Sequence, residues 1–165
     1  MKIKEIALVG ILTAIIFLID QVLSFVPFLQ LSMLFIILFS RKLRTLKTSI
    51  IIIVYVTLDY LIIGFNVLFV IFTILGWMFV PLLSNSVFKQ TKSVFFIGLQ
   101  GILFSFLYSW IFIVPSCLIG EIDVFEYLKL DIIFEISLAL SSFLTIIFLY
   151  KPLEKVLDRF LINTN

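Results

Sequence analysis

The chain has 165 residues, of which 63% are hydrophobic and 13% charged, with a net charge of +2 and a mean hydropathy of +1.31. Soluble globular domains are about 45–50% apolar and ~25% charged, so this composition predicts an all-α integral membrane protein forming one domain over residues 1–165. The sequence has no histidine and one cysteine, Cys117, which excludes an internal disulfide and a thiol-based metal site. It has no nucleotide-binding loop and no nucleophile elbow, so we expect neither an enzyme nor a cofactor.

Six apolar segments are predicted to cross the membrane as helices, at about 5–25, 28–42, 47–64, 67–88, 93–115 and 125–150. The third and fourth are each long enough to span ~30 Å of hydrocarbon at ~1.5 Å per residue, and they form a hairpin around Gly64 and Asn66. The second is short and opens after Pro27, and the fifth is expected to stop at Pro115. Pro152 is expected to open a separate short amphipathic tail.

The basic residues predict the orientation of this path. Eleven of the twelve Lys and Arg residues lie at the two termini or in the connections at 41–47 and 89–92, all on one side of a six-helix path. The exception is Lys129, which stands among acidic residues on the opposite side. Because cytoplasmic loops carry an excess of basic residues, both termini are predicted to be cytoplasmic.

Polar residues concentrate in the outer half of this predicted bundle. A carboxylate near the bilayer centre costs roughly 2.5–3.5 kcal/mol on insertion scales, so each needs a partner, water or a substrate. Asp59 and Glu135 lie deepest and are the preferred anchoring carboxylates. The candidate substrate-binding residues are Asp20, Tyr55, Asp59, Asn66, Trp77, Tyr108, Trp110, Asp131 and Glu135. Tyr60, beside Asp59, is a further aromatic residue available to stack on a ring or hold a cation.

Structural roles remain open for several of these residues. Asp20 and Asp131 could cap helices, reach the outer interface or pair with Lys129. Tyr108 and Trp110 could belong to an interfacial aromatic belt. Trp77, near mid-membrane, suits packing better than stacking on a ligand.

Small residues occupy one stripe of the first helix, at Ala7, Gly10 and Ala14. A small-xxx-small spacing such as that of Gly10 and Ala14 allows another helix to approach closely. The partner helix could belong to this chain or to another subunit.

In its length, six spans and cytoplasmic termini, the chain resembles the substrate-binding S components of energy-coupling factor (ECF) transporters. The Gly10-Ile-Leu-Thr-Ala14 segment stands where that family carries an alanine-xxx-alanine pattern, and Leu75-Gly76-Trp77 resembles some of its members. The resemblance implies capture of a vitamin or similar micronutrient from outside a bacterial cell membrane. It also implies docking on a transmembrane T component driven by two ATPase subunits.

The acidic character of the outer half adds an expectation about the ligand. Lys129 is the one cation near the four acids of this half, which are Asp20, Asp59, Asp131 and Glu135. We therefore expect a positively charged or donor-rich guest, such as a heteroaromatic vitamin. The alternative is a structural membrane protein of the cell-wall elongation machinery, in which buried polar groups pair helix to helix. No nucleic-acid partner is expected.

Overall fold

The computed structural model describes residues 3–26, 29, 31–120 and 122–164, and for residues 163 and 164 it describes the backbone alone. Within these residues there are seven helices and no strand. The helices are α1 (Ile3–Leu23), α2 (Ser32–Lys42), α3 (Thr45–Ile63), α4 (Val67–Asn85), α5 (Val94–Ile111), α6 (Ile113–Gly120) and α7 (Val124–Thr164).

In the described part of the chain, five helical stretches are long and apolar enough to cross a membrane. They correspond to α1, α3, α4, α5 together with α6, and α7. Such a set of apolar helices indicates a multi-pass membrane protein. The hairpin between α3 and α4 turns at Gly64, whose φ of 124° favours a residue without a side chain.

The second predicted span differs from the other five. Its helix, α2, has only 11 residues and covers ~16 Å at ~1.5 Å per residue, about half of a hydrocarbon core. The predicted start at residue 28 lies outside the described residues, and the helix begins at Ser32. Residues 32–40 of α2 are all buried. Because α3, α4, α5 and α7 pack around it, α2 is the centre of the bundle.

Helices α5 and α7 have the most extensive contact of any helix pair among the described residues. A Cβ added at Gly101 would come within 2.5 Å of Cδ1 of Ile146, and one added at Gly98 within 2.9 Å of the Phe143 ring. The two glycines therefore allow the α7 side chains to lie directly against the α5 backbone, the role of small residues between membrane helices.

Two predicted effects of proline were wrong. The fifth helix ends at Ile111, before Pro115, and Pro115 lies in the first turn of α6. This position suits proline because its missing N–H would have no partner there. Pro152 does not start a new segment, since α7 continues through it to Thr164. Packing maintains the helix beyond Pro152, where Leu157 is buried against the core.

Ion pairs and hydrogen bonds hold the basic connections at 41–47 and 89–92 at the same end of the bundle. Lys42, at the end of α2, pairs with Glu154 at 3.0 Å and Asp158 at 2.9 Å on α7. Lys47 on α3 pairs with Glu5 on α1 at 2.8 Å. Arg41 donates hydrogen bonds to the backbone carbonyls of Phe88 and Thr91, which lie between α4 and α5. The start of α1, both basic connections and the end of α7 therefore share one end, which we call the basic end.

Candidate functional site

A polar cavity of about 220 Å³ lies away from the basic end, between α1, α3, α4 and α5. Two carboxylates, three phenol rings and one indole line it, and none of its described lining residues is Lys or Arg. Ile63, the last residue of α3, also lines it and is 72% exposed, so the cavity reaches the end of that helix. The lining residues are Asp20, Tyr55, Val56, Asp59, Tyr60, Ile63, Thr73, Trp77 and Tyr108.

Helical spacing explains why α3 contributes most of this wall. Tyr55 and Asp59 are four residues apart, as are Val56 and Tyr60, and residues at this spacing lie on one helix face. Tyr55 and Val56 are buried, whereas Asp59 and Tyr60 are half-buried closer to the helix end. The face therefore becomes more polar toward the end of α3.

Asp20 joins three helices on one side of the cavity. Ser32 donates from Oγ to Oδ1 of Asp20 across 2.5 Å, and the Tyr55 hydroxyl donates to Oδ2 across 2.8 Å. Ser32 is the first residue of α2, so the carboxylate lies near the positive end of the α2 dipole. Both oxygens of Asp20 therefore have protein partners, and its first role is to hold α1, α2 and α3 together.

Asp59 differs from Asp20 in the partners of its oxygens. Gln21 donates from Nε2 to Oδ1 of Asp59 across 2.9 Å, linking α1 to α3. Among the described residues nothing donates to Oδ2 of Asp59. This oxygen is therefore available to accept a hydrogen bond from a guest in the cavity.

Aromatic rings form the wall contributed by α4 and α5. Trp77 is 1% exposed, and its ring centroid lies 4.6 Å from that of Tyr108 with the planes 39° apart. Gly76 makes this approach possible, because a Cβ there would lie 3.0 Å from the Tyr108 ring. Trp77 therefore packs in the core, as the sequence favoured, and also lines the cavity.

Four of the sequence-predicted candidates lie outside this cavity. Asp131, on α7, accepts a hydrogen bond from Ser109 of α5. Glu135 is 5% exposed, and its Oε1 has no hydrogen-bond partner among the described residues. Asn66 caps α4, where its side chain accepts from the backbone N–H groups of residues 68 and 69. Trp110 is 50% exposed, as an interfacial aromatic would be.

Lys129 was one partner that the sequence suggested for Asp20 and Asp131. Lys129 is exposed, and among the described residues no ion pair joins it to either carboxylate. The acids instead use hydroxyl donors within the bundle.

The sequence reasoning missed two hydroxyl residues of the site, Ser32 and Thr73. Thr73 shares a hydrogen bond of 2.8 Å with the Tyr60 hydroxyl, which joins α4 to α3 across the cavity wall. Its position four residues before Trp77 on the same helix was the signal that could have identified it. Ser32 could not be placed from sequence, because its contact with Asp20 depends on where α2 begins.

The small residues of α1 are directed away from this site and from the rest of the chain. Ala7, Gly10 and Ala14 are exposed, and a Cβ added at Gly10 would meet no atom of the described residues within 4 Å. Packing within the chain therefore does not explain this stripe.

The chemistry of the cavity is that of a small binding site. Its volume equals roughly seven waters at ~30 Å³ each, below the ~300–1,000 Å³ of sites for drug-sized ligands, so only a compact guest fits. Two carboxylates without a lining cation favour a guest that is positively charged or rich in donors, and aromatic faces suit a cation or a ring. Comparison with protein-family models, curated proteins and solved structures finds no match to the chain.

Proposed function

We propose that this protein is a membrane-embedded substrate-binding component of the ECF type, which captures a compact cationic or donor-rich micronutrient from outside a bacterial cell. The observation that carries the proposal is the polar cavity away from the basic end, with Oδ2 of Asp59 free to accept a hydrogen bond. Asp59 anchors the guest, Tyr108 and Trp77 contact its ring or charge, and Asp20 with Tyr55 forms the wall. The site binds and does not catalyse.

The distribution of charge supports the proposed orientation. The basic connections and the ion pairs of Lys42 and Lys47 lie at one end of the bundle, and basic residues favour the cytoplasmic side. With that end in the cytoplasm, the cavity is directed outward. In this proposal α2, enclosed by its neighbours, completes the sixth pass although it is too short to cross a bilayer alone.

The exposed small residues of α1 support the proposed delivery step. Ala7, Gly10 and Ala14 leave a strip of backbone that another helix can approach closely, and no described residue comes within 4 Å of a Cβ placed at Gly10. The proposed occupant is a helix of a T component, which two ATPase subunits drive.

The pairing of the acids favours a second candidate function, a structural membrane protein of the cell-wall elongation machinery. Asp20 is bonded to Ser32 and Tyr55, and Asp59 to Gln21, each across helices. Such pairing is what this alternative predicts. It does not account for a cavity lined by the same carboxylates.

Identification of compounds that co-purify with the protein in detergent separates the two functions. We expect mass spectrometry of the wild-type extract to find one compact cationic or donor-rich compound in near-stoichiometric amount. Thr73→Leu, which extends an apolar side chain at the cavity wall, should lose this compound. Thr57→Leu, outside the cavity lining on α3, should retain it. An empty wild-type protein, or an anionic compound, would favour the structural alternative.

A further inference from the structure

A second cavity, of about 280 Å³, lies at the basic end of the bundle. Four basic side chains line it, from the start of α1, the end of α2 and the region where α3 begins, against a single acid, Glu5. The basic residues are Lys4, Lys42, Arg44 and Lys47. We call this cavity the basic basin.

The basin retains positive charge after its internal pairing. Lys42 is engaged by Glu154 and Asp158, and Lys47 by Glu5. Lys4 and Arg44 are exposed, and neither forms an ion pair within the described part of the chain.

The helix start beside Arg44 adds hydrogen-bond donors to this charge. Arg44 is the N-cap of α3 and gives no side-chain cap to the first N–H groups of that helix. Free N–H groups and the positive end of a helix dipole suit an anionic oxygen. Charge and donors together select an anion such as a phosphate.

A third cavity, an almost wholly apolar groove of about 240 Å³, lies between α1 and α7. Residues of α1 and α7 form its walls and α2 its floor. Its lining includes Leu12, Ile15, Phe35, Leu38, Leu157 and Phe160.

Helical register makes the groove a continuation of the basin. Leu8 lines the basin and Leu12, one turn later on α1, lines the groove. Leu161 lines the basin and Leu157, one turn earlier on α7, lines the groove. An anion site that continues into an apolar groove matches a phospholipid, whose phosphate is joined to acyl chains.

We propose that the basic basin and the apolar groove together bind one anionic phospholipid, with the phosphate at Lys4 and Arg44 and an acyl chain between α1 and α7. The groove covers α1 from Leu12 to Ile19, about 10 Å of helix at ~1.5 Å per residue, which fits within one leaflet of a bilayer. Basic pockets between membrane helices on the cytoplasmic side are suited to such headgroups.

This site is separate from the proposed capture and docking of a substrate. Residues 8, 12, 15 and 19 of α1 lie within about 60° of helix rotation, whereas Gly10 and Ala14 lie more than 90° from them. The lipid can therefore bind while the small-residue face is occupied, and the proposal holds whether or not the cavity at Asp59 takes a micronutrient.

The test uses the full chain, stripped of lipid in detergent and then supplied with an equimolar mixture of phosphatidylglycerol and phosphatidylcholine. Native mass spectrometry counts the lipid retained on each molecule. The wild type should prefer phosphatidylglycerol on the order of 30-fold, because each basic residue near an anionic headgroup contributes a factor of about five. Lys4→Gln with Arg44→Gln should abolish the preference, whereas Lys89→Gln with Lys92→Gln, exposed lysines outside the basin, should retain it.

The groove is tested by a tryptophan at position 15. Ile15→Trp fills the apolar groove and should lower retained phosphatidylglycerol at least threefold, whereas Ile53→Trp, on a similarly exposed site of α3, should not. The native side chains of Ile15 and Ile53 are 38% and 44% exposed, so the fold should tolerate each change, which circular dichroism checks.

Three outcomes would overturn the proposal. The preference for phosphatidylglycerol could survive the loss of Lys4 and Arg44, fall equally in the lysine controls, or be unchanged by Ile15→Trp. Capture of a small molecule at Asp59 is measured separately and should be unchanged in every variant.

Discussion

Gln21 donates a hydrogen bond from Nε2 to Oδ1 of Asp59 across 2.9 Å, joining α1 to α3 at the polar cavity. The bond holds one carboxylate oxygen and leaves the other to face the cavity. Gln21 is therefore a positioning residue for Asp59, and this pair links the packing of the bundle to its proposed binding function.

Replacing Gln21 with leucine should weaken binding of the co-purifying compound about fivefold. A hydrogen bond to a carboxylate in a protein is worth ~1 kcal/mol or more, and its loss frees Asp59 to rotate. Calorimetry with the purified variant measures this change. Gln90→Leu, at the basic end, is the matched control and should bind as the wild type does. Unchanged affinity in Gln21→Leu would show that Asp59 needs no orienting partner.

Alanine should have opposite effects at two glycines, Gly101, where α5 lies against α7, and Gly10, on the exposed face of α1. Gly101→Ala places a Cβ 2.5 Å from Cδ1 of Ile146, which is 0% exposed, so the Ile146 side chain or the two helices must shift. We expect a loss of about 1–3 kcal/mol in stability, the usual cost of overpacking. Gly10→Ala meets no atom within 4 Å and should be neutral or stabilising by up to ~1 kcal/mol, because alanine favours helix. Thermal unfolding in detergent compares them, and equal melting temperatures would contradict this packing.

Topology can be tested by labelling introduced cysteines from outside intact cells, in a Cys117→Ser background. Leu46→Cys, at the basic end, should resist a membrane-impermeant maleimide, while Phe65→Cys, in the hairpin between α3 and α4, should react. The two native side chains are 66% and 59% exposed, so accessibility alone does not distinguish them. Labelling of residue 46 without labelling of residue 65 would reverse the proposed orientation.

Docking on a partner helix predicts that bulk on the small-residue face of α1 blocks assembly. Gly10→Leu with Ala14→Leu should abolish co-purification with a T component and uptake, since close approach needs the absence of large side chains. Both positions are exposed, so binding of the small compound in detergent should remain. Assembly that survives the double change would assign this face to lipid contact.

The position of a polar residue along its helix could be predicted from the sequence, but its direction around the helix could not. Asp59 and Glu135 were expected to act together because both lie in the same half of the bundle. Depth follows from counting residues along a helix, whereas direction depends on which helices pack side by side. Asp59 lines the cavity between α1, α3, α4 and α5, and Glu135 on α7 does not.

Local signals also failed where packing outweighed them. Pro152 suggested a break, yet α7 continues because Leu157 is buried and Lys42 pairs with both Glu154 and Asp158 beyond the proline. In contrast, Tyr55 and Asp59 could be assigned to one face from spacing alone, since both belong to one uninterrupted helix.

Calorimetry on a matched set of carboxylate variants decides whether Asp59 anchors a small guest in the polar cavity. Asp59→Asn retains the shape of the side chain and removes its charge. It should weaken binding of the co-purifying compound at least tenfold, roughly 1.4 kcal/mol. Asp131→Asn and Glu135→Gln, outside the cavity, should change affinity less than twofold. Equal affinity in Asp59→Asn and the wild type, or a larger loss in Glu135→Gln, would show that Asp59 is not the anchoring carboxylate.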